Sequence, residues 1–264
     1  MSPLLEVKGL KVDFHLENRI VHAVEGVDLQ VRRNETVVLA GESGSGKTIT
    51  TLALTRILPA PARIVAGQVL LEGRDMLALE EKKLYSIRGG VIAYIFQEPA
   101  SFLNPVLTIG EQIVEAVIWH QRLGRQEAQD QGRELLRQVR IAEADRVFNS
   151  FPHQLSGGMN QRAFIAMALA CKPSLLIADE PTTSLDVTIE AEILKLLTEL
   201  KEKVGFSLLF ITHNLAIARK ISQRIYVMYR GRVVENGLTE DIFKDPKHFH
   251  TRELIAAYHK IGKL

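Results

Sequence analysis

Residues 37–48, with the sequence VVLAGESGSGKT, constrain the fold of this chain more than any other stretch. Val37–Ala40 is apolar throughout and predicts a short buried strand, while Lys47 and Thr48 begin a segment typical of a helix. The loop between the strand and the helix contains three glycines: Gly41, Gly44 and Gly46. Glycine lets successive backbone N–H groups curve around an anion, and the helix N-terminus adds a partial positive charge. The pattern G-x-x-x-x-G-K-[ST] in this setting therefore predicts a site for nucleotide phosphates.

The helix that follows this loop begins with two side chains that suit phosphate chemistry. In such a site the lysine reaches the β- and γ-phosphates and the next hydroxyl contacts Mg²⁺, which assigns these roles to Lys47 and Thr48. The nucleotide contacts predicted here are Gly41, Glu42, Ser43, Gly44, Ser45, Gly46, Lys47, Thr48 and Ile49.

The composition excludes several other classes of protein. At 264 residues, with 46% hydrophobic and 24% charged residues, the chain can bury the core of one large globular domain. Lys and Arg (33) nearly balance Asp and Glu (31), so net charge gives no reason to expect nucleic acid as a partner. The single cysteine, Cys171, excludes an internal disulfide framework and a multi-cysteine metal site. We expect neither a signal peptide nor a membrane-spanning segment, because the apolar run Ala163–Cys171 is too short to cross a bilayer.

Hydrophobic patterning predicts an α/β fold with two additions. Alternation over Leu4–Val12 and Ile20–Val31 predicts an antiparallel sheet at the N-terminus. Apolar strands that alternate with helices predict a mainly parallel sheet, with strands at Ile92–Phe96, Leu175–Ala178, Ser207–Ile211 and Ile225–Tyr229. A further strand is expected at Gly67–Glu72, and helices are expected at Thr50–Leu58, Ile109–Trp119, Gln126–Val139, Gln161–Cys171 and Ile189–Lys203.

The helices between residues 98 and 156 have charged faces and interrupt the alternation, which predicts a helical insertion. The expected organisation is one domain over residues 1–264. In it, 1–97 and 157–264 form the β subdomain and the core, and 98–156 form the inserted helical subdomain.

Two strand ends carry candidate catalytic groups. Asp179 and Glu180 follow an apolar strand, where Asp179 can hold Mg²⁺ and Glu180 can orient or deprotonate water. Adjacent carboxylates at the end of a buried strand are costly without a cation, which favours this interpretation over an ordinary acidic loop. His213 follows the next strand and suits the γ-phosphate region, although a lone histidine is more often a polar residue with no such role.

Ser156, Gly157 and Gly158 lie directly before an apolar helix and offer a hydroxyl and backbone N–H groups at its N-terminus. A serine cap with a glycine turn explains this segment in isolation. Two phosphate-binding helix ends in one chain suggest instead that two chains share the nucleotides. Near the C-terminus, His248, His250 and His259 could hold a metal, but we expect them to be exposed residues.

Together these segments resemble the ATP-binding subunit of ABC transporters over nearly the whole chain. Gly41–Thr48 is similar to Walker A, Leu175–Glu180 to Walker B with its catalytic glutamate, and Leu155–Gln161 to the signature motif. The remaining matches are Gln97 to the Q-loop, Ser184–Asp186 to the D-loop, His213 to the switch histidine, and Phe14 to the aromatic residue that stacks on adenine.

The resemblance implies a P-loop NTPase (RecA-like) core with a mainly parallel sheet, an N-terminal antiparallel β subdomain and an inserted α-helical subdomain. It also implies ATP hydrolysis by two subunits that close head to tail. Lys47 and the rest of the loop hold ATP, while the partner's copy of Ser156–Gly158 covers the γ-phosphate and Asp186 lies in the same interface. The metal ligands implied are Thr48, Gln97 and Asp179 for Mg²⁺, and the catalytic residues implied are Glu180, His213, Gln97 and Lys47.

The sequence departs from the family pattern at Met159, Asn160, Ser184 and Asn214. None of these changes removes a group that handles phosphate or water, so activity is expected.

Several segments resemble the dipeptide, oligopeptide and nickel importer branch, among them Phe96–Pro99, Leu103–Gln112 and Pro152–Met159. The final residues from Pro246 look more like the short nickel-import ATPase of that branch, which favours nickel or a metal chelate over peptide. The branch implies a paralogous second ATP-binding subunit in a heterodimer, two membrane permeases and an extracytoplasmic solute-binding protein. It also implies a peripheral location at the cytoplasmic face of the cell (inner) membrane.

Two other functions share parts of this motif set. A soluble ABC ATPase acting on nucleic acid needs coiled-coil arms, zinc-type cysteine pairs or two cassettes in one chain, and none is evident in this sequence. A P-loop kinase would lack Leu155–Gln161 and would need a substrate lid. The sequence therefore predicts no nucleic-acid partner.

Overall fold

The computed structural model describes residues 2–183 and 185–261. The strands are β1 (Leu5–Leu16), β2 (Arg19–Val31), β3 (Thr36–Ala40), β4 (Ala62–Leu71), β5 (Arg74–Asp75), β6 (Ile92–Ile95), β7 (Leu175–Asp179), β8 (Ser207–Thr212), β9 (Arg224–Tyr229) and β10 (Arg232–Leu238). The helices are α1 (Lys47–Leu54), α2 (Glu81–Ile87), α3 (Pro99–Phe102), α4 (Ile109–Gln121), α5 (Arg125–Gln138), α6 (Ala144–Phe148), α7 (Gly157–Leu169), α8 (Val187–Val204), α9 (Leu215–Ile221), α10 (Thr239–Lys244) and α11 (Phe249–Ile261). Short 3₁₀ turns occupy Met76–Ala78 and Pro152–Gln154.

The chain divides into two compact units, and the first combines residues up to Leu84 with those from Ser207 onward. Its antiparallel sheet has the strand order β2-β1-β4-β5, which confirms the predicted N-terminal sheet. In the same unit β3 pairs in parallel with β8 and β9, and β10 pairs antiparallel with β9. All five residues of β3 are buried, as expected for a parallel strand covered on both faces.

The second unit extends from Tyr85 to Phe206 and contains the parallel pair β6–β7 with helices α3 to α8. A capping box begins α4, because Glu111 N–H donates to the Thr108 hydroxyl at 3.2 Å and Thr108 N–H donates to the Glu111 carboxylate at 2.7 Å. These hydrogen bonds from Thr108 lower the pKa of Glu111. The helices meet around Phe148, against which a Cβ at Gly110 would lie at only 2.4 Å.

The α/β fold class predicted from the sequence is confirmed, but several element limits were wrong. The helix that follows the glycine loop begins at Lys47 as predicted, but it ends at Leu54 rather than Leu58, because Arg56 takes a left-handed conformation with φ of 58°. Strand β4 begins at Ala62 rather than Gly67, because pairing with β1 continues as far as Phe14 opposite Ala62. Such cross-strand pairing has no local sequence signal.

Within residues 2–183 and 185–261, no helix has the combination of length and apolar character needed to cross a bilayer.

Candidate functional site

The loop between β3 and α1 is held closely by its own unit. A Cβ at Gly41 would lie 2.3 Å from the Met228 carbonyl oxygen, and a Cβ at Gly46 would lie 2.5 Å from that of Ala23. Gly46 caps α1 with φ of 102°, a conformation that costs other residues about 1–2 kcal/mol. Glycine at these two positions is therefore required by close backbone approach as well as by the curve of the loop.

Hydrogen bonds close the same loop. Ser45 N–H donates to the Glu42 carbonyl at 3.2 Å, and Gly231 N–H donates to the Ser45 carbonyl at 2.9 Å. The Lys47 ammonium, only 5% exposed, donates to the carbonyls of Gly41 at 2.9 Å and Glu42 at 2.8 Å. The Lys47 ammonium therefore lies against the loop backbone, close to the amides that would bind an anion.

The hydroxyl groups of Ser45 and Thr48 indicate whether this loop suits a nucleotide with its metal ion. The Ser45 Oγ atom is buried and, among the described residues, no hydrogen-bond partner reaches it. Thr48 lies exposed in the first turn of α1, and Glu42, Ser43 and Gly44 are also exposed. A buried hydroxyl without a partner is costly, so an anion or its hydration shell in this loop would satisfy it. The donor set therefore fits a phosphate group with a hard cation.

Phe14 and His213 belong to the same unit as the loop. Phe14 is half-buried in β1, opposite Val21 of β2 and Ala62 of β4. His213 is exposed directly after β8.

Asn214, which departs from the family pattern directly after His213, has a structural role at the start of α9. The Asn214 side chain accepts a hydrogen bond from Ala216 N–H at 2.9 Å and caps α9. Asparagine and aspartate cap helices about equally well. The departure from the family pattern at this position therefore preserves the start of the helix.

In the second unit, Asp179 and Glu180 end β7 as the sequence predicts. Asp179 is the last residue of the strand and is 5% exposed, whereas Glu180 is half-buried with φ of 44°. The Thr183 hydroxyl donates to the Glu180 carboxylate at 2.9 Å and fixes its orientation. Backbone strain at a non-glycine residue is typical of functional positions, because it aims a side chain that regular geometry would turn elsewhere.

Gln97 follows β6 and is exposed, and the residues around it are held by aromatic packing that the sequence did not reveal. Phe96 stacks on Phe102 of α3 with a ring-centroid separation of 4.1 Å, and both approach Phe164 of α7 at 6.4 and 6.3 Å. The segment carrying Gln97 therefore packs on the helix that carries the Ser156 loop.

A buried glutamine, also missed from the sequence, organises the next loop. Gln112 accepts a hydrogen bond from Asn104 N–H at 2.8 Å and donates to the carbonyls of Asn104 at 3.2 Å and Leu107 at 3.1 Å. The backbone between Asn104 and Leu107 is thus fixed by a side chain on α4. A polar residue on a mainly buried helix face was the available signal.

Ser156 caps α7, and its geometry leaves the hydroxyl weakly committed. The Oγ atom accepts from Met159 N–H at 3.4 Å, longer than the usual 2.9–3.0 Å or so. A Cβ at Gly157 would meet nothing within 4 Å, so this side of the helix end is open. Asn160, at the second departure from the family pattern, is buried and donates to the Pro152 carbonyl at 3.0 Å, which fixes the turn before the cap.

Asp186 caps α8, where its carboxylate accepts from Ile189 N–H at 2.9 Å. Ser184, the D-loop departure, lies outside the described residues. Of the histidines near the C-terminus, His250 is 2% exposed rather than exposed as expected, with its ring 4.1 Å from that of Tyr229. The side chain of His259 lies outside the described part of the chain, within which no cluster of three or more His, Cys, Asp and Glu residues could hold a metal ion.

The predicted residues fall into two sets. The first unit carries Phe14, Gly41, Glu42, Ser43, Gly44, Ser45, Gly46, Lys47, Thr48, Ile49 and His213. The second unit carries Gln97, Ser156, Gly157, Gly158, Asp179, Glu180 and Asp186.

Comparison with known proteins supports the resemblance. The family model described as "ABC transporter" matches residues 24–183. The "Probable peptide ABC transporter ATP-binding protein y4tR" of Sinorhizobium fredii is 48% identical over 253 residues, covering 96% of this chain and 76% of that protein. The "Oligopeptide transport ATP-binding protein AppD" of Bacillus subtilis is 46% identical over 258 residues, covering 97% and 79%. The "Glutathione import ATP-binding protein GsiA" of Salmonella typhimurium is 45% identical over 267 residues, covering 99% of this chain but only 43% of its own length.

Among solved structures, the dimeric post-hydrolysis state of the ATP-binding cassette MJ0796 bound to ADP and Pi superposes with a TM-score of 0.80. It is 29% identical in sequence and covers 89% of this chain and 98% of that one. The same scaffold thus occurs in a cassette whose structure is described as a dimer with hydrolysis products.

Proposed function

The chain belongs to the ABC transporter family, and we propose that it energises a peptide importer. It is an ATPase of the kind that is coupled to transport in import systems. The observation that carries the peptide assignment is the 48% identity to y4tR across 96% of this chain, since that relative is named for a peptide transporter.

The sequence favoured nickel or a metal chelate as the solute, and the relatives point to a different class. Those described above are named for peptide, oligopeptide and glutathione transport, and glutathione is itself a tripeptide. We therefore propose a small peptide as the solute, with nickel or its chelate as the alternative.

Transport by the assembled complex distinguishes these solutes. The chain would be reconstituted in liposomes with its permeases, its second ATP-binding subunit and the solute-binding protein. The binding protein would be loaded with a dipeptide, glutathione or Ni²⁺. Peptide or glutathione should stimulate ATP turnover and accumulate in the liposomes, whereas stimulation and uptake with Ni²⁺ alone would overturn the peptide assignment.

We propose that this chain supplies each nucleotide site with one half of its groups. Lys47 and the loop amides bind the phosphates, Phe14 stacks on the adenine, and Glu180 accepts a proton from the attacking water. His213 donates a hydrogen bond to the γ-phosphate and stabilises the charge that develops there in the transition state. Thr48, Gln97 and Asp179 are the residues we expect to hold Mg²⁺, which would neutralise charge on the β- and γ-phosphates.

The role of Glu180 is tested by replacing its carboxylate with an amide of the same shape. Glu180→Gln should lower ATP turnover by about hundredfold or more, the range for loss of a general base, while ATP affinity stays unchanged. Glu202→Gln, which alters an exposed carboxylate on α8, is the matched control and should behave as the wild type. Normal turnover by Glu180→Gln would remove this residue from the reaction.

We propose that the second half of each site comes from another ATP-binding subunit, whose copy of Ser156–Gly158 covers the γ-phosphate and whose Asp186 lies in the same interface. The open face at Gly157 and the long Ser156 hydrogen bond support this, because both leave donors available to a group outside the chain. We also propose that in the assembled transporter this subunit is a paralogue, so that the pair is a heterodimer, whereas the isolated chain pairs weakly with itself at high concentration.

The membrane partners are proposed on similar grounds. We propose that the pair of ATP-binding subunits works with two permeases and that residues 98–156 of this chain form the helical subdomain that transmits closure to the membrane partners. The chain would attach peripherally to the cytoplasmic face of the inner membrane. Val106 and Trp119 in this segment are 75% and 71% exposed, and apolar groups so placed are typical of protein interfaces.

A further inference from the structure

We propose that Arg162 is a positioning residue that holds the Ser156 cap and the Asp186 cap as one rigid body. This inference rests on the proposed role of Ser156 at the nucleotide of a second subunit. Arg162 lies on α7 six residues after Ser156, and Glu192 lies on α8 six residues after Asp186. Each helix therefore begins with a capping residue, and six residues after the cap α7 carries a positive side chain and α8 a negative one.

The Arg162 guanidinium joins three elements of the second unit. Its Nη2 atom donates to the Glu192 carboxylate at 2.6 Å, and its Nη1 atom donates to the carbonyl of Val139, the residue that ends α5, at 3.1 Å. The Arg162 side chain is 12% exposed, against 50% for Glu192. A planar guanidinium with fixed donors can satisfy two acceptors in set directions, so it fixes geometry as well as charge.

A second contact, nearer the caps, explains why these bonds would align the helix ends. A Cβ at Gly158 would lie 3.3 Å from the Ile189 Cγ2 atom, so the first turn of α7 lies close against the first turn of α8. Ile189 is also the residue whose N–H the Asp186 carboxylate caps. With contact at the first turn and an ion pair farther along, α7 cannot rotate or slide along α8 without breaking one of them.

The consequence for catalysis is geometric. Reacting groups must be placed to a fraction of an ångström, and a displacement of about 1 Å can cost about hundredfold in rate. The weak cap at Ser156 does not hold the hydroxyl by itself. We therefore assign its position to the packing beneath it, with Arg162 as the central contact.

The chain offers a matched control in a second ion pair with the same helix. Arg140, just beyond α5, bonds to Glu199 of α8, which lies seven residues beyond Glu192 and farther from the caps. This pair also joins the end of α5 to α8. Its loss should therefore show the effect of a missing surface ion pair without moving the helix ends.

The test is ATP turnover by the full chain at saturating protein concentration, with ATP affinity measured separately. Arg162→Ala and Glu192→Ala should each lower kcat by about tenfold with KM for ATP within about twofold, because misplacement affects the reacting geometry and leaves the chain's own phosphate loop intact. The kcat of the double variant should be no lower than that of the less active single variant, since the two residues act as a unit. Arg140→Ala and Glu199→Ala should stay close to wild type.

Two outcomes would contradict the positioning role of Arg162. A kcat for Arg162→Ala and Glu192→Ala that matches the Arg140 and Glu199 variants would overturn the positioning role, as would an equal loss of ATP affinity. Glu192 is half exposed, so its variant is expected to fold even where Arg162→Ala does not. Wild-type chain without ATP turnover, or normal turnover in Glu180→Gln, would instead contradict the proposed function.

Discussion

Two loops in this chain lead into helix N-termini suited to phosphate, and the chain supports them in different ways. The loop at Gly41–Gly46 is enclosed, with carbonyls of Met228 and Ala23 against its glycines and Gly231 bonded to Ser45. The loop at Ser156–Gly158 has open space at Gly157 and a cap hydrogen bond of 3.4 Å. The first is thus shaped by its own unit, whereas the second presents donors that its own unit leaves unused. The comparison agrees with one loop binding nucleotide within the chain and the other serving a neighbouring subunit.

The largest effect should come from disturbing the enclosed loop. Gly46→Ala adds a Cβ 2.5 Å from the Ala23 carbonyl at φ of 102°, so we expect loss of tight ATP binding and destabilisation by about 2 kcal/mol or more. Gly44→Ala is the control, because it carries a positive φ of 78° but nothing lies within 4 Å of its Cβ. Urea unfolding and binding of a fluorescent ATP analogue measure both effects, and equal behaviour of the two variants would contradict the enclosure.

A smaller effect, confined to turnover, should come from the open loop. Aspartate caps helices as well as serine, so Ser156→Asp should preserve α7 while its charge opposes the γ-phosphate. We expect turnover to fall by about hundredfold with ATP binding intact, since like charges in contact cost several kcal/mol. Ser156→Asn retains the cap without the charge and should lose much less.

Mixing variants shows whether the open loop serves the same chain or its partner. Chains carrying Lys47→Ala and chains carrying Ser156→Asp are each expected to be inactive alone. In the symmetric dimer that the isolated chain forms at high concentration, a random equal mixture should recover roughly a quarter of wild-type turnover, because about half of the dimers are mixed and each of these has one intact site of its two. Absence of recovery would place Ser156 at its own chain's nucleotide.

The smallest effect concerns acid pH and the contact between Glu25 of β2 and Arg232 of β10, next to the enclosed loop. Glu25 N–H donates to the Gly231 carbonyl, and the side-chain hydrogen bond from Arg232, at 2.6 Å, lowers the pKa of Glu25. A carboxyl with a lowered pKa in the folded state adds stability above its ordinary pKa of about 4.3, and this is lost as pH falls through the folded value. Glu25→Gln should therefore be slightly less stable than wild type at neutral pH and equal to it at strongly acid pH. Unfolding curves from pH 7 downward measure this, and a constant difference would contradict the pKa shift.

Sequence reasoning predicted the parts of the fold whose cause is local. The buried strand before Gly41, the strand that ends at Asp179 and the helix after Ser156 each have an apolar pattern and a recognisable boundary residue. It failed where a distant partner sets the limit. Strand β4 extends back to Ala62 because the distant strand β1 pairs with it as far as Phe14.

The same distinction applies to the candidate site. Lys47, Glu180 and Ser156 were predicted because their chemistry is carried by residues adjacent in the chain. Gln112 and Arg162 were not, because their hydrogen bonds depend on acceptors supplied by other parts of the second unit. A polar residue on a helix has no sequence signal for the acceptor that it will meet.

By itself, the sequence determined that this chain has the glycine-rich Gly41–Thr48 pattern of the ABC family, with a glutamate at a strand end and a second glycine turn before a helix. Those features are local, because steric and hydrogen-bonding requirements act within a few residues. Only the tertiary structure decided that the Gly41–Gly46 loop is enclosed by Ala23, Met228 and Gly231, and that the Ser156–Gly158 loop is open. Enclosure depends on atoms far apart in the chain, which only folding brings to within a few ångströms of each other.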